Sequence, residues 1–286
     1  VVRTRDNGLI ISLEVTGIDG ITSGSSAITA LRAGFAHLLD TLDERFSFYL
    51  HRMMRPAQTQ LKPIHGQSFA ADIDRAWGAE LQRRNLQDSV LILTVVRRQV
   101  APLAVPLFGK AAAKVWGEDT DRRLEELREV VSILETGLGV KSHRLKISDG
   151  SLIGFYASLL AGELRSKSRS PFGIIAEDAS DAAIRFGKGQ FTVEEGADTP
   201  RVGAVLYVKS YAPSTWPGML DALGVSRDTI ITHSYTPIER GSITERVKRR
   251  VAQMRASEDI AATIEAQLFE AADKSESGEL GFGIHQ

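Results

Sequence analysis

The sequence predicts an α/β chain of the α+β kind, laid out as two ferredoxin-like units in series. Three observations lead there. Helical spacings of three and four alternate with strand-like runs along the whole chain. With the helix at Phe69 to Arg84 set aside as an insertion, the first half orders itself β-α-β, β-α-β, the split βαβ pattern. The second half reads β-α-β-α and lacks the last strand of a second such unit.

The elements follow in order. Leu9 to Val15 is a β-rich run that stops at Gly17, and Ser23-Gly24-Ser25-Ser26 offers N-cap chemistry. Ile28, Leu31, Phe35, Leu38, Leu39 and Leu42 then mark one face of a helix. Phe46, Phe48 and Leu50 alternate in a strand that Pro56 ends. Ser89 to Arg97 is a continuous apolar run, the pattern of a strand buried on both faces. Leu124, Leu127, Val130, Val131 and Leu134 mark another helix, with Gly137 and Gly139 as stop signals. His143 to Ile147 reads as a short strand and Ser151 to Leu164 as a helix. Residues 165–173, basic, serine-rich and containing Pro171, read as a linker, so the predicted division is 1–164, linker 165–173, and 174–286. Phe172 to Asp178 reads as an apolar strand ending in acids. Ala183 to Phe186 and Gln190 to Glu194, joined by Gly187-Lys188-Gly189, form a hairpin. Val202 to Lys209 is a strand, Trp216 to Leu223 a short helix, and Asp228 to Tyr235 a strand. Glu239 to Lys274 is a long helical stretch whose apolar phase changes near Ser257.

Composition narrows the function. The chain has 286 residues, 35 Lys+Arg against 36 Asp+Glu, a net charge of -1 and 7% aromatic residues, which argues against a dedicated nucleic-acid binder. With 0 cysteines it has no disulfides, thiol nucleophiles or thiolate metal sites. The longest apolar run, Val100 to Phe108, holds Pro102 and Pro106 and is far short of the roughly 20 residues a membrane span needs. No signal peptide is visible, and the start at Val1 predicts a processed or excised piece, or a chain whose first residues are not in the sequence.

The catalytic motifs are missing. No G-x-x-x-x-G-K-[S/T] occurs, and Gly109-Lys110, Gly139-Val140-Lys141-Ser142 and Gly187-Lys188 read as turns. No G-x-S-x-G or S-x-x-K is present. His37, His51, His65, His143, His233 and His285 form no H-x-H or i, i+4 pair, so no metal site is expected. Asp72 and Asp74 read as first-turn helix acids. Two other readings stay open: a carboxylate enzyme joining Asp72 or Asp74 to Glu177 or Asp178, and a nucleic-acid module using Arg165 to Arg169 with Arg246 to Arg255. Around Tyr211-Ala212-Pro213-Ser214-Thr215-Trp216-Pro217-Gly218-Met219, two prolines set φ and Thr215 stands as an N-cap. Tyr211, Trp216, Pro217, Gly218 and Met219 are the candidate partner-contact residues, and the alternative is a rigid turn packed in its own domain.

At this segment a resemblance enters. Lys209 to Leu223 resembles the Y-P-x-x-T-x-P-G-M-L-x-x-L stretch of the CagE/TrbE/VirB family, the large ATPases of type IV secretion and conjugation systems, of the fourth VirB protein type. In the same order, Thr232-His233-Ser234-Tyr235-Thr236-Pro237-Ile238-Glu239-Arg240 looks like the family's T-x-S-F stretch, Arg255-Ala256-Ser257-Glu258-Asp259 its M-x-S-x-D, and Gly281-Phe282-Gly283-Ile284-His285 its G-x-H-H. Asn7 to Gly20 resembles the family's D-G…L-D-G opening. Pro213 lies one place later than in the family, and Gln286 replaces the second His of G-x-H-H.

The resemblance covers the family's N-terminal region, whose phosphate loop lies further downstream. It implies a docking and assembly role on the inner-membrane subunits of a type IV secretion system, in the bacterial cytoplasm and peripheral at the inner membrane. It implies self-association through the full-length ATPase. ATP and magnesium would belong to a RecA-like motor domain, with no catalytic residue, cofactor, metal or small-molecule ligand on this chain.

Overall fold

The computed structural model describes residues 1–18, 22–56, 68–84, 86–99, 110–137, 139, 141–162, 174–180, 182–194, 200–208, 216, 219, 229–256, 262–277 and 281–285. Along these the elements are β1 Val2–Arg3, β2 Leu9–Val15, α1 Ser25–Asp40, β3 Phe46–Pro56, α2 Phe69–Arg84, β4 Gln87–Arg97, α3 Lys110–Gly137, β5 Ser142–Arg144, α4 Ser151–Ala161, α5 Ile175–Ala179, β6 Ala183–Phe186, β7 Phe191–Glu194, β8 Arg201–Gly203, β9 Ile230–Pro237, α6 Arg240–Ala256, α7 Ala262–Glu276 and β10 Gly283–His285. The class is α+β, as expected. The chain divides into two compact units: Val1–His51, Leu91–Arg144 and Thr232–Gln286 in the first, and Arg52–Val90 with Leu145–Ile231 in the second.

The first unit is built on a sheet ordered β1-β2-β4-β3-β9-β10, with β5 also pairing β2. Within it the order β5-β2-β4-β3 is that of a split βαβ unit, with α1 and α3 as the two crossovers and α2 as the insertion. The β2–β4 and β2–β5 pairs are antiparallel, with Leu13 opposite both Leu93 and Arg144. Alternation places Leu9, Ile11 and Leu13 of β2 on one face with Phe46, Phe48, Leu93 and Val95. Against that face pack Leu38 of α1 and Leu127, Val130, Val131 and Leu134 of α3. The opposite residues are small hydroxyls: Ser12 meets Thr94 at 2.9 Å and Ser47 meets Thr236 at 2.9 Å, so buried polar groups satisfy each other.

Two buried arginines hold α3 to this sheet. Arg97 donates to Glu126 at 2.7 Å and lies 5.4 Å from the Phe46 ring centroid. Arg123 donates to the carbonyl of Asn7 at 2.6 Å, in the turn where Asn7 takes φ 61°. Arg144 of β5 grips Glu135 of α3 through two bonds of 2.8 and 2.7 Å.

The second half differs in topology from the sequence expectation. β9 and β10 extend the first half's sheet beyond β3 rather than starting a sheet of their own. The reason is a free β3 edge whose side chains suit β9: Ser47 bonds Thr236, and His51 bonds Thr232 at 2.9 Å. These contacts run in opposite directions along the two strands, so the pair is antiparallel. The phase change near Ser257 separates two helices, α6 and α7, whose joining residues 257–261 lie outside the described residues. Ile243, Val247 and Val251 of α6 pack with Ala272 of α7, and Ile238, Leu268, Phe269 and Phe282 flank them.

The second unit contains α2, α4, α5 and a three-stranded sheet ordered β6-β7-β8. Helix α4 buries Leu152, Ile153, Phe155, Ala157 and Ala161 and ends at Gly162, whose φ of 76° suits a left-handed cap. The expected hairpin is present, with Phe186 opposite Phe191 and Gly187 N–H donating to Gln190 O at 2.8 Å. Two local expectations are corrected. Ile175–Ala179 is a helical turn rather than a strand, because Glu177 and Asp178 sit in its first turn, where the dipole favours acids. The strand expected over Val202 to Lys209 is ordered in a sheet only as Arg201–Gly203. The α1 N-cap is Gly24, inside the expected Ser23–Ser26 stretch, and it makes no side-chain bond. The linker at 165–173 lies outside the described residues.

Candidate functional site

The second unit carries an exposed apolar surface. In the three-stranded sheet Val193 is buried, whereas Phe186 is 83% and Val202 66% exposed. Gly203 lies opposite Phe191, whose ring occupies the space a Cβ would take, 2.5 Å away. Beyond β8 the chain presents Val205, Leu206, Tyr207 and Val208 in a row, with Leu206 87% exposed. Contiguous exposed apolar surface of this kind is a mark of interaction sites when it is extensive.

Of the partner-contact residues, Trp216 and Met219 are described. Trp216 is 57% exposed, Met219 is half-buried, and Met219 N–H donates to Trp216 O at 3.1 Å. Tyr211, Pro217 and Gly218 lie outside the described residues, as does most of the helix expected over Trp216 to Leu223.

A second feature lies on the antiparallel β9–β10 ribbon, where Gly283, Ile284 and His285 pair with Pro237, Thr236 and Tyr235. The T-x-S-F-like and G-x-H-H-like stretches thus become neighbouring strands. Gly283 is there because the Tyr235 ring lies where its Cβ would be. Burial, and then the nearby Asp40 charge, push the Tyr235 hydroxyl pKa up. His233 Nδ1 and His285 Nε2 share a hydrogen bond of 3.2 Å, with the ring planes within 7° of parallel and the centroids 5.4 Å apart, so the rings meet edge to edge. Burial, and then the charge of His285, push the His233 pKa down. In the sequence these histidines stand 52 residues apart, and only the strand pairing brings them together.

On α6, Arg246 pairs with Glu44 at 2.6 Å, Arg249 with Glu245 at 3.3 Å, and Arg255 with Glu265, so much of the basic face is answered by protein carboxylates. Asp72 is occupied by Arg75 on the surface of α2. Among the described residues no group of three or more His, Cys, Asp or Glu side chains is placed to hold a metal. Nor is any helix among them long and apolar enough to cross a membrane.

Two family models match the chain. Residues 1–103 match the type IV secretion system ATPase VirB4/TrbE N-terminal domain. Residues 139–286 match the CagE, TrbE, VirB family, component of type IV transporter system. None of the curated proteins compared with the chain matches it. With the second match spanning more than half of its length, the chain belongs to the CagE, TrbE, VirB family of type IV transporter components.

Proposed function

We propose that this chain is the N-terminal docking and assembly region of a type IV secretion ATPase, serving conjugation or effector translocation. It attaches the motor to the inner-membrane subunits of the machine and contributes to self-association of the full-length protein. ATP and magnesium bind a RecA-like domain elsewhere in the protein, since this sequence encodes no phosphate-cradling loop. The observation that carries the docking reading is the exposed run Val205-Leu206-Tyr207-Val208, with Trp216 exposed shortly after it. Large exposed apolar and aromatic side chains are what a protein interface buries at its centre.

Affinity purification of the full-length protein from cells carrying the secretion system tests this. Leu206→Asp and Trp216→Ala should each reduce recovery of the inner-membrane subunits while leaving ATP turnover by the motor unchanged. Recovery equal to wild type in both variants contradicts docking through this surface.

A further inference from the structure

The His233–His285 pair is left over from the docking account, although both residues sit in stretches that resemble the family. Their facing nitrogens stand 3.2 Å apart on adjacent strands. The spacing is set by a backbone ladder, since His285 lies directly across from Tyr235, two residues from His233. Two imidazole nitrogens on one tetrahedral zinc ion, each at about 2.05 Å, stand roughly 3.3 Å apart. Without an ion, one facing nitrogen donates a hydrogen bond to the other; the separation matches the bite of a chelate once that proton moves to the far nitrogen of its ring and the two rings tilt toward the ion. Imidazole suits zinc, copper and nickel. His233 would carry its proton on Nε2 and His285 on Nδ1.

We infer that His233 and His285 form a two-imidazole binding site for a divalent zinc-class ion, which clips β10 to β9. Water completes the coordination, because no third metal-ligating side chain joins them among the described residues. The clip has a structural use. β10 is three residues long and lies at the sheet edge, so few backbone bonds hold it. α6 and α7 lie between β9 and β10 in the chain, so the ion closes a loop spanning 52 residues at the base of this helix pair. An ion that binds only the folded state stabilises it by mass action.

Calorimetric titration of the metal-stripped, tag-free 286-residue chain with zinc chloride tests the site, with His233→Ala, His285→Ala and the control His143→Ala on β5. Wild type and His143→Ala should bind one ion saturably and melt at higher temperature with zinc. Each of the other variants should bind at least about tenfold more weakly, the minimum that even an outer-shell change costs a metal site. Binding should weaken on acidification, because ligand nitrogens must be unprotonated to hold a metal. If His285→Ala melts early in chelator alone, His285→Gln takes its place. Wild-type zinc affinity in the His233 and His285 variants, or no saturable binding by the wild type, overturns the site.

Discussion

Burial pushes the pKa of His51 from 6.5 down to about 4. His51 lies among strand residues, stacks on Tyr49 and bonds Thr232. The unfolded chain takes up a proton near pH 6.5 that the folded chain refuses until about pH 4. Stability from this group is thus complete above pH 6.5 and falls as the pH drops toward about 4, by a total of about 3 kcal/mol. Urea unfolding at about pH 7 and about pH 4.5 should show wild type losing about 2–3 kcal/mol more than His51→Gln. Equal losses would contradict a neutral buried His51. Arg97 and Glu126 give a second prediction at this scale. Glu126→Ala leaves a guanidinium that is 3% exposed without its carboxylate and should cost about 3–5 kcal/mol. The double change Arg97→Met with Glu126→Met should be markedly milder in the same assay. If the double variant is the less stable of the two, the ion pair is a net stabiliser.

Among the elements, Gly203 tests how the small sheet is closed. Gly203→Val drives a side chain into the Phe191 ring and should destabilise the hairpin by about 1–3 kcal/mol, read as faster amide exchange over Ala183 to Glu194. Unchanged exchange would mean that the ring can move aside freely. What was legible in the sequence follows the reach of the signal. α1 and the apolar face of α3 announced themselves by spacing, and β2 and β4 by alternation or continuous apolarity. The hairpin announced itself by Gly187-Lys188-Gly189, where Gly189 takes φ 81°. α5, five residues long, is too short to show a helical period, and β1 and β10 are shorter still. Pairing of β9 with β3 depends on side chains 181 and 189 residues apart, beyond any local pattern. The same reason hid the His233–His285 pair. Trp216 was visible as a contact candidate because prolines flank it at Pro213 and Pro217.

For the whole molecule, the proposed division of labour is that this region anchors and another region hydrolyses, and the family match together with the lack of a phosphate loop in this sequence supports that proposal. The near-neutral charge and the ion-paired arginines of α6 fit a protein-docking region better than a nucleic-acid surface. The most direct measurement expresses the 286-residue chain in cells carrying the secretion system, then asks whether it is retained on the purified inner-membrane complex. The account predicts retention, displacement of the full-length ATPase as the chain is raised in concentration, and no magnesium-dependent ATP turnover by the chain itself. A chain that stays off the complex while the full-length protein binds, or one that turns over ATP unaided, would contradict it.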